Sequence, residues 1–185
     1  MQMFSLSHYI TLVILVVGIV AAISFRWPQR RGAPYWPTSM KKTRKMLAMA
    51  EIKQDELVYD LGCGDGRIIV AAARRFGARA VGVEIEPFRF IWCQLLITVL
   101  GLRKRVRVVR RDLFSEDLRD ADVVFCYLLQ RTNDRLEHKL VRELRPGARI
   151  VSNTFHFPTL SYTRIDVESD ICSYHTGERS KRSFG

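Results

Sequence analysis

Two hydrophobic patterns divide the chain. From Tyr9 to Phe25 it is almost unbroken Ile, Leu, Val and Ala, whereas beyond Leu57 short apolar runs alternate with stretches whose apolar residues recur at helical spacing. The short runs predict strands over Leu57–Leu61, Arg79–Glu84, Val106–Val109, Asp122–Tyr127 and Arg149–Ser152. Between them the helical periodicity predicts helices over Ile68–Phe76, Phe88–Leu100 and Asn133–Glu143. Such alternation predicts an α/β fold built on an open parallel sheet covered on both faces. Two further runs, Tyr162–Val167 and Ile171–Tyr174, flank Glu168-Ser169-Asp170 and predict a closing antiparallel hairpin. Ahead of the first strand, Thr38 or Ser39 caps a helix through about Glu51, and Pro28, Pro34 and Pro37 keep the chain before it extended.

The first strand runs into Asp60-Leu61-Gly62-Cys63-Gly64-Asp65-Gly66, and a helix opens near Arg67 with Ile68, Ile69, Ala72 and Ala73 on its apolar side. Gly62 and Gly64 give a turn that tolerates positive φ and close approach of a ligand to the backbone; Gly66 lets the helix start tight against the sheet. The spacing is G-x-G-x-G, unlike the G-x-G-x-x-G of dinucleotide sites. Asp60 and Asp65 both oppose an anion at the helix N-terminus, so a pyrophosphate fits poorly. S-adenosylmethionine, which carries a sulfonium and an ammonium, fits better. Glu84 ends the second strand, where a carboxylate accepts hydrogen bonds from both ribose hydroxyls of a nucleoside.

These residues resemble the class I S-adenosylmethionine-dependent methyltransferases from about Gly32 to about Phe155. Asp60 to Gly66 is similar to the first motif of that family and Glu84 to its ribose-binding acid. Arg111-Asp112-Leu113-Phe114 is similar to the adenine-contacting loop, Ala121 to Leu129 to the fourth strand and Leu144-Arg145-Pro146-Gly147 to the turn into the fifth. The resemblance implies a Rossmann-like seven-stranded sheet and cofactor contacts from Asp60, Gly62, Gly64, Gly66, Glu84, Asp112 and Leu113. Asp112 is equally placed to cap the turn at Leu113.

A narrower resemblance links Gly32-Ala33-Pro34-Tyr35-Trp36-Pro37-Thr38, the element Tyr127-Leu128-Leu129, Asn133 and Ile150-Val151-Ser152-Asn153 to the small membrane-anchored protein-lysine methyltransferases of mitochondria and their prokaryotic relatives. It implies a protein substrate, a lid from the Pro34–Tyr35 segment, and an acceptor channel lined by Tyr127 and, after the fifth strand, by Asn153 and Phe155. As residues alone, Tyr127 also reads as a packed strand-end aromatic and Asn153 as a loop hydrogen-bonder. Methylation of base or glutamine amines uses an Asn/Asp-Pro-Pro-aromatic motif where this chain has Tyr127-Leu128-Leu129-Gln130. Methylation of a small molecule or lipid, and cofactor binding without catalysis at a membrane surface or on RNA, stay open as alternatives.

About 17 apolar residues of helix rise roughly 26 Å, the short end for crossing a bilayer. No charged side chain precedes Arg26, whereas a signal peptide carries positive charge ahead of its apolar run. The segment therefore reads as an uncleaved single-pass transmembrane anchor, against the alternative of a buried or interfacial helix. Arg26, Arg30 and Arg31 put the catalytic part on the cytoplasmic or mitochondrial matrix side. The expected organisation is an anchor with its basic flank at 1–31, a methyltransferase domain at 32–176 and a basic, disordered tail at 177–185.

The net charge of +11 falls wholly on the part beyond the anchor. A basic surface of this kind serves solubility or meets anionic lipid headgroups; nucleic acid ranks lower, because Arg103-Lys104-Arg105-Val106-Arg107 has no interleaved aromatic residues. The four cysteines lack metal-ligand spacing, which argues against a metal site and for a reducing compartment. His138, His156 and His175 show no pairing in the sequence.

Overall fold

The computed structural model describes residues 7–16, 18–19 and 37–177. It divides into two compact units, Met1–Tyr35 and Trp36–Gly185. In the first, residues 7–16 and 18–19 are helical, and Tyr9, Leu12, Val13, Ile14 and Leu15 are all more than half exposed. Among the described residues no helix is long and apolar enough to cross a membrane. Residues 1–6, 17 and 20–31 of the expected anchor, the expected Pro34–Tyr35 lid and residues 178–185 of the expected tail lie outside the described residues.

The second unit is a seven-stranded sheet with helices on both faces. Its elements are α1 (Met40–Met49), β1 (Leu57–Leu61), α2 (Arg67–Phe76), β2 (Arg79–Glu84), α3 (Pro87–Val99), β3 (Val106–Arg110), β4 (Val123–Cys126), α4 (Gln130–Glu143), β5 (Arg149–Asn153), β6 (Arg164–Asp166) and β7 (Ile171–His175). Strand order is β3-β2-β1-β4-β5-β7-β6. The first five strands are parallel, and β7 runs antiparallel to both β5 and β6. The hairpin expected from Tyr162 to Tyr174 is therefore present, with its first strand shortened to three residues.

Period-two alternation sorts each strand between two cores. Val58, Ala80, Val108 and Phe125 point to the face covered by α1, α2 and α3. Tyr59, Leu61, Val81, Val83 and Val124 point to the face covered by α4. Asp60 lies two residues from Val58 and Glu84 four from Ala80, so both acids share the first face. The parallel register sets Asp60 beside Gly82. The strands thus converge two carboxylates at their carboxyl ends, beside the turn that leads into α2.

Of the two caps that the pattern offers for α1, Ser39 serves, accepting from the Lys42 N–H at 3.2 Å. The ends of α4 and β4 depart from the sequence pattern, each for a local reason. The helix α4 starts one turn earlier than Asn133, because Gln130 donates to Asp134 four residues on at 2.7 Å and to the His156 carbonyl at 2.8 Å. Asp122 and Tyr127 fall outside β4: the Asp122 carboxylate accepts from the Leu57 N–H at 2.7 Å, and Tyr127 leaves the ladder.

Candidate active site

The glycine turn has the conformation its spacing predicts. Gly62, Gly64 and Gly66 have φ of 80°, 56° and 81°, in the left-handed region that side chains disfavour. The N–H groups of Gly62 and Cys63 both donate to the Val83 carbonyl, at 2.8 and 3.1 Å, which folds the turn back over the end of β2. A Cβ at Gly62 would meet Leu128 at 3.2 Å, and one at Gly66 would meet the Cys93 sulfur at 3.1 Å. The loop after β4, carrying Tyr127 and Leu128, is therefore packed against the turn. Tyr127 itself is half-buried.

Glu84 is buried at the end of β2, and its two oxygens accept from the backbone N–H groups of Gly64 at 3.0 Å and Glu86 at 2.9 Å. Burial raises its pKa, and those two hydrogen bonds oppose the rise. Each oxygen keeps a free lone pair for a further donor. Asp60 is buried, and among the described residues no cation pairs with it; burial first, then the charges of Asp65 and Glu84, push its pKa up to about 8. A cationic ligand would restore its charge.

Asp65 does not share that role. Although its partial burial favours the protonated form, the Arg67 guanidinium, which bonds it at 2.8 and 3.0 Å through Nε, holds its pKa below the usual carboxylate value. Arg67 also donates to the Thr38 carbonyl, so the chain leading into α1 is tied to the mouth of the turn. The repulsion of an anion expected from Asp65 is thus offset by Arg67, and the raised pKa of Asp60 weakens its own at neutral pH.

Asp112 is exposed and caps a single 3-10 turn at Leu113–Ser115 by accepting from the Phe114 N–H at 3.0 Å. It follows β3, and the Arg111 N–H reaches the Glu84 carbonyl at 3.3 Å, so the loop begins beside Glu84. Leu113 is half-buried against the α4-side core. At the end of β5, Asn153 is fully buried: its Oδ1 accepts from Lys42 of α1 at 3.1 Å, and its Nδ2 has no partner. Asn133 is also fully buried, donating to the Phe155 carbonyl at 2.7 Å and leaving its Oδ1 without a partner.

Sequence spacing missed several contacts. Glu86 caps α3 by accepting from Phe88 and Arg89 N–H groups at 3.2 and 2.8 Å; a Glu-Pro pair opening a helix was the available signal. Gly82 has no side chain because Cys63 and Ile69 occupy that space: a Cβ would lie 2.6 and 2.9 Å from them. His156, unpaired in the sequence reading, bonds Asp170 at 2.9 Å and lies 3.6 Å from the Cys172 sulfur. All four cysteines are free and buried, and the described residues hold no cluster suited to a metal ion.

A left-handed glycine turn bonded to the buried Glu84, with Asp60 buried on the neighbouring strand, suits a nucleoside bearing positive charge. The chain matches the family described as "ANTKMT methyltransferase domain" over residues 60–164. It is similar to a protein-lysine N-methyltransferase of Saccharolobus islandicus, 46% identical over 123 residues that make up 66% of this chain and 76% of that protein. It is also similar to the mouse adenine nucleotide translocase lysine N-methyltransferase, 35% identical over 72% of this chain. It covers 58% of that relative, less than two thirds of its length. Among solved structures, an RNA methyltransferase from Salinibacter ruber in complex with S-adenosyl-L-homocysteine superposes with a TM-score of 0.74 at 34% identity, over 79% of this chain and 97% of that one.

Proposed function

The chain belongs to the ANTKMT methyltransferase domain family of S-adenosylmethionine-dependent methyltransferases, and within it we propose that it is a protein-lysine N-methyltransferase working at a membrane. The observation that carries the acceptor class is the 46% identity to a protein-lysine N-methyltransferase across most of that relative. The translocase named in the mouse relative supports a protein acceptor too.

S-adenosylmethionine supplies a methyl group already activated on a sulfonium. The chain's own task is alignment and proton control. In our reading Gly62, Gly64 and Gly66 bring the backbone close to the cofactor, Asp60 faces its positive charge, and Glu84 accepts from the ribose hydroxyls. Asp112 and Leu113 border the adenine. Tyr127 and Asn153 line the acceptor channel; the unpartnered Asn153 Nδ2 and its burial support a polar contact there. A lysine amine attacks only when neutral, and a desolvated channel beside a sulfonium lowers its pKa from about 10.4. No strong general base is needed.

We read residues 1–31 as the anchor, 32–176 as the catalytic domain and 177–185 as a basic tail, with the catalytic domain on the cytoplasmic or matrix side. The exposed helical residues from Tyr9 to Leu15, apolar but for Thr11 and the Tyr9 hydroxyl, support the anchor. Methylation of RNA is the second reading, favoured by the Salinibacter ruber structure and the basic run after α3.

The deciding experiment incubates the detergent-solubilised protein with membrane and soluble extracts and S-adenosylmethionine labelled on its methyl group. A labelled protein band that yields methyl-lysine on digestion is expected. Label confined to RNA, lipid or small molecules would overturn the lysine assignment, and cofactor binding without any label would overturn catalysis.

A further inference from the structure

The helix α3 turns an apolar side to solvent. Its buried residues, Cys93 and Ile97, pack on the sheet at the β3 edge. On the opposite side Phe88, Ile91, Trp92, Leu95 and Val99 are 39%, 59%, 55%, 57% and 75% exposed. Their spacing of i, i+3, i+4, i+7 and i+11 makes one continuous stripe along the helix. A stripe of this size on a helix that already has a buried face marks an interaction surface.

The segment that carries it is basic. From Pro87 to Arg111 there is no Asp or Glu. Arg103 and Lys104 are exposed on the turn after α3, and Arg110 is exposed on β3, the edge strand beneath it, on the same side as Val106 and Val108; Arg105 is paired with Asp55 at 2.7 Å, and Arg107 faces the other side of the sheet. A second copy docked on the same face would bring two such cationic borders together. Nucleic acid would leave the aliphatic side chains unmatched, since Trp92 and Phe88 are the stripe's only aromatic residues. A bilayer with anionic headgroups satisfies both parts, taking the stripe into its acyl boundary and the basic border at its surface.

We propose that α3 is a docking surface for an anionic lipid bilayer, distinct from the N-terminal apolar segment. The α3 cap, Glu86, follows Glu84 by two residues and bonds it through its backbone N–H. Docking along α3 therefore sets the mouth of the cofactor crevice at the membrane surface, within reach of acceptors presented there.

The test uses the 185-residue chain with Trp27→Phe and Trp36→Phe, which leaves Trp92 as the single remaining one of its 3 tryptophans. It is reconstituted into phosphatidylcholine vesicles with and without phosphatidylglycerol brominated on its acyl chains. Trp92 emission is expected to shift to shorter wavelength and to be quenched only when the anionic brominated lipid is present. Ile91→Glu with Leu95→Glu, both at exposed positions, should abolish the quenching while circular dichroism and cofactor binding stay unchanged. Arg103→Glu with Lys104→Glu should weaken it. Water-like, unquenched emission in both vesicles would overturn the proposal, as would emission already shifted without lipid, which means that a second copy or the chain's own N-terminal segment covers the face. A shift with RNA but none with vesicles would overturn it equally. The readout is independent of the methyl acceptor, so failure of the lysine assignment leaves it standing.

Discussion

Gly64 donates its backbone N–H to Glu84 Oε2 at 3.0 Å, so the acid at the end of β2 also fixes the glycine turn that leaves β1. On the proposed assignment, Glu84→Ala therefore removes two things at once: the acceptors for a ribose diol and the clamp on the turn. Hydrogen bonds to a charged group are worth about 1.5–3 kcal/mol each, so losing two weakens S-adenosylmethionine binding on the order of a hundredfold or more. Calorimetric titration checks this. Binding as tight as in the parent would show that Glu84 is not in the pocket.

Gly82→Ala should unfold the site from beneath. Its Cβ would press on Cys63 at 2.6 Å and Ile69 at 2.9 Å, both buried, and overpacking of this kind costs about 1–3 kcal/mol. Thermal unfolding should occur at a lower temperature, and cofactor affinity should fall because Cys63 belongs to the turn. Gly101→Ala is the contrast: nothing lies within 4 Å of its Cβ, so only its positive φ of 67° is strained and affinity is unchanged.

If Asp60 faces the positive charge of the cofactor, binding depends on pH. With its pKa pushed up to about 8 by burial, it holds a proton at neutral pH in the free protein, and a cation beside it favours the ionised form. The bound state then carries fewer protons than the free state below about pH 8, so affinity rises with pH up to about 8 and levels off. Titrations from about pH 6 to about pH 9 should show up to about tenfold per pH unit on the steep side, with proton release on binding. Asp60→Asn should flatten the profile. The same shift makes the cofactor-free protein less stable as pH rises from about 4 to about 8, because the folded state keeps the proton that the unfolded chain has lost.

Tyr127→Ala and Asn153→Ala separate acceptor from cofactor. If these residues line the channel, kcat/KM for the acceptor falls at least about tenfold, roughly 1.4 kcal/mol, with the cofactor Kd nearly unchanged. Lys42→Met is the control for Asn153, since it removes the 3.1 Å bond to α1 and leaves the amide in place. An equal loss in Lys42→Met and Asn153→Ala would assign Asn153 to holding α1 on the sheet.

The turn from Asp60 to Gly66 was legible because glycine spacing and strand-end acids are local properties: positive φ at three glycines and a carboxylate one residue before the end of a strand follow from neighbours in sequence. The alternation of strands and helices likewise announced the sheet, since burial on two faces leaves a periodic trace in every element. What the sequence could not show depends on residues far apart in the chain. Glu84 clamps Gly64, Lys42 reaches Asn153 and Arg67 reaches the Thr38 carbonyl. His156 meets Asp170 across the approach to β7. Gly82 looked like any strand glycine until the turn folded back over it. The α3 stripe was in the sequence as apolar residues, and a helix apolar on all sides reads as buried; only its position at the β3 edge, with no further layer of the described residues outside it, turns those side chains outward. Local spacing thus determined the fold class and the cofactor turn, while the tertiary structure decided which charges are neutralised and which surfaces stay open, because both are set by contacts between segments that the sequence holds apart.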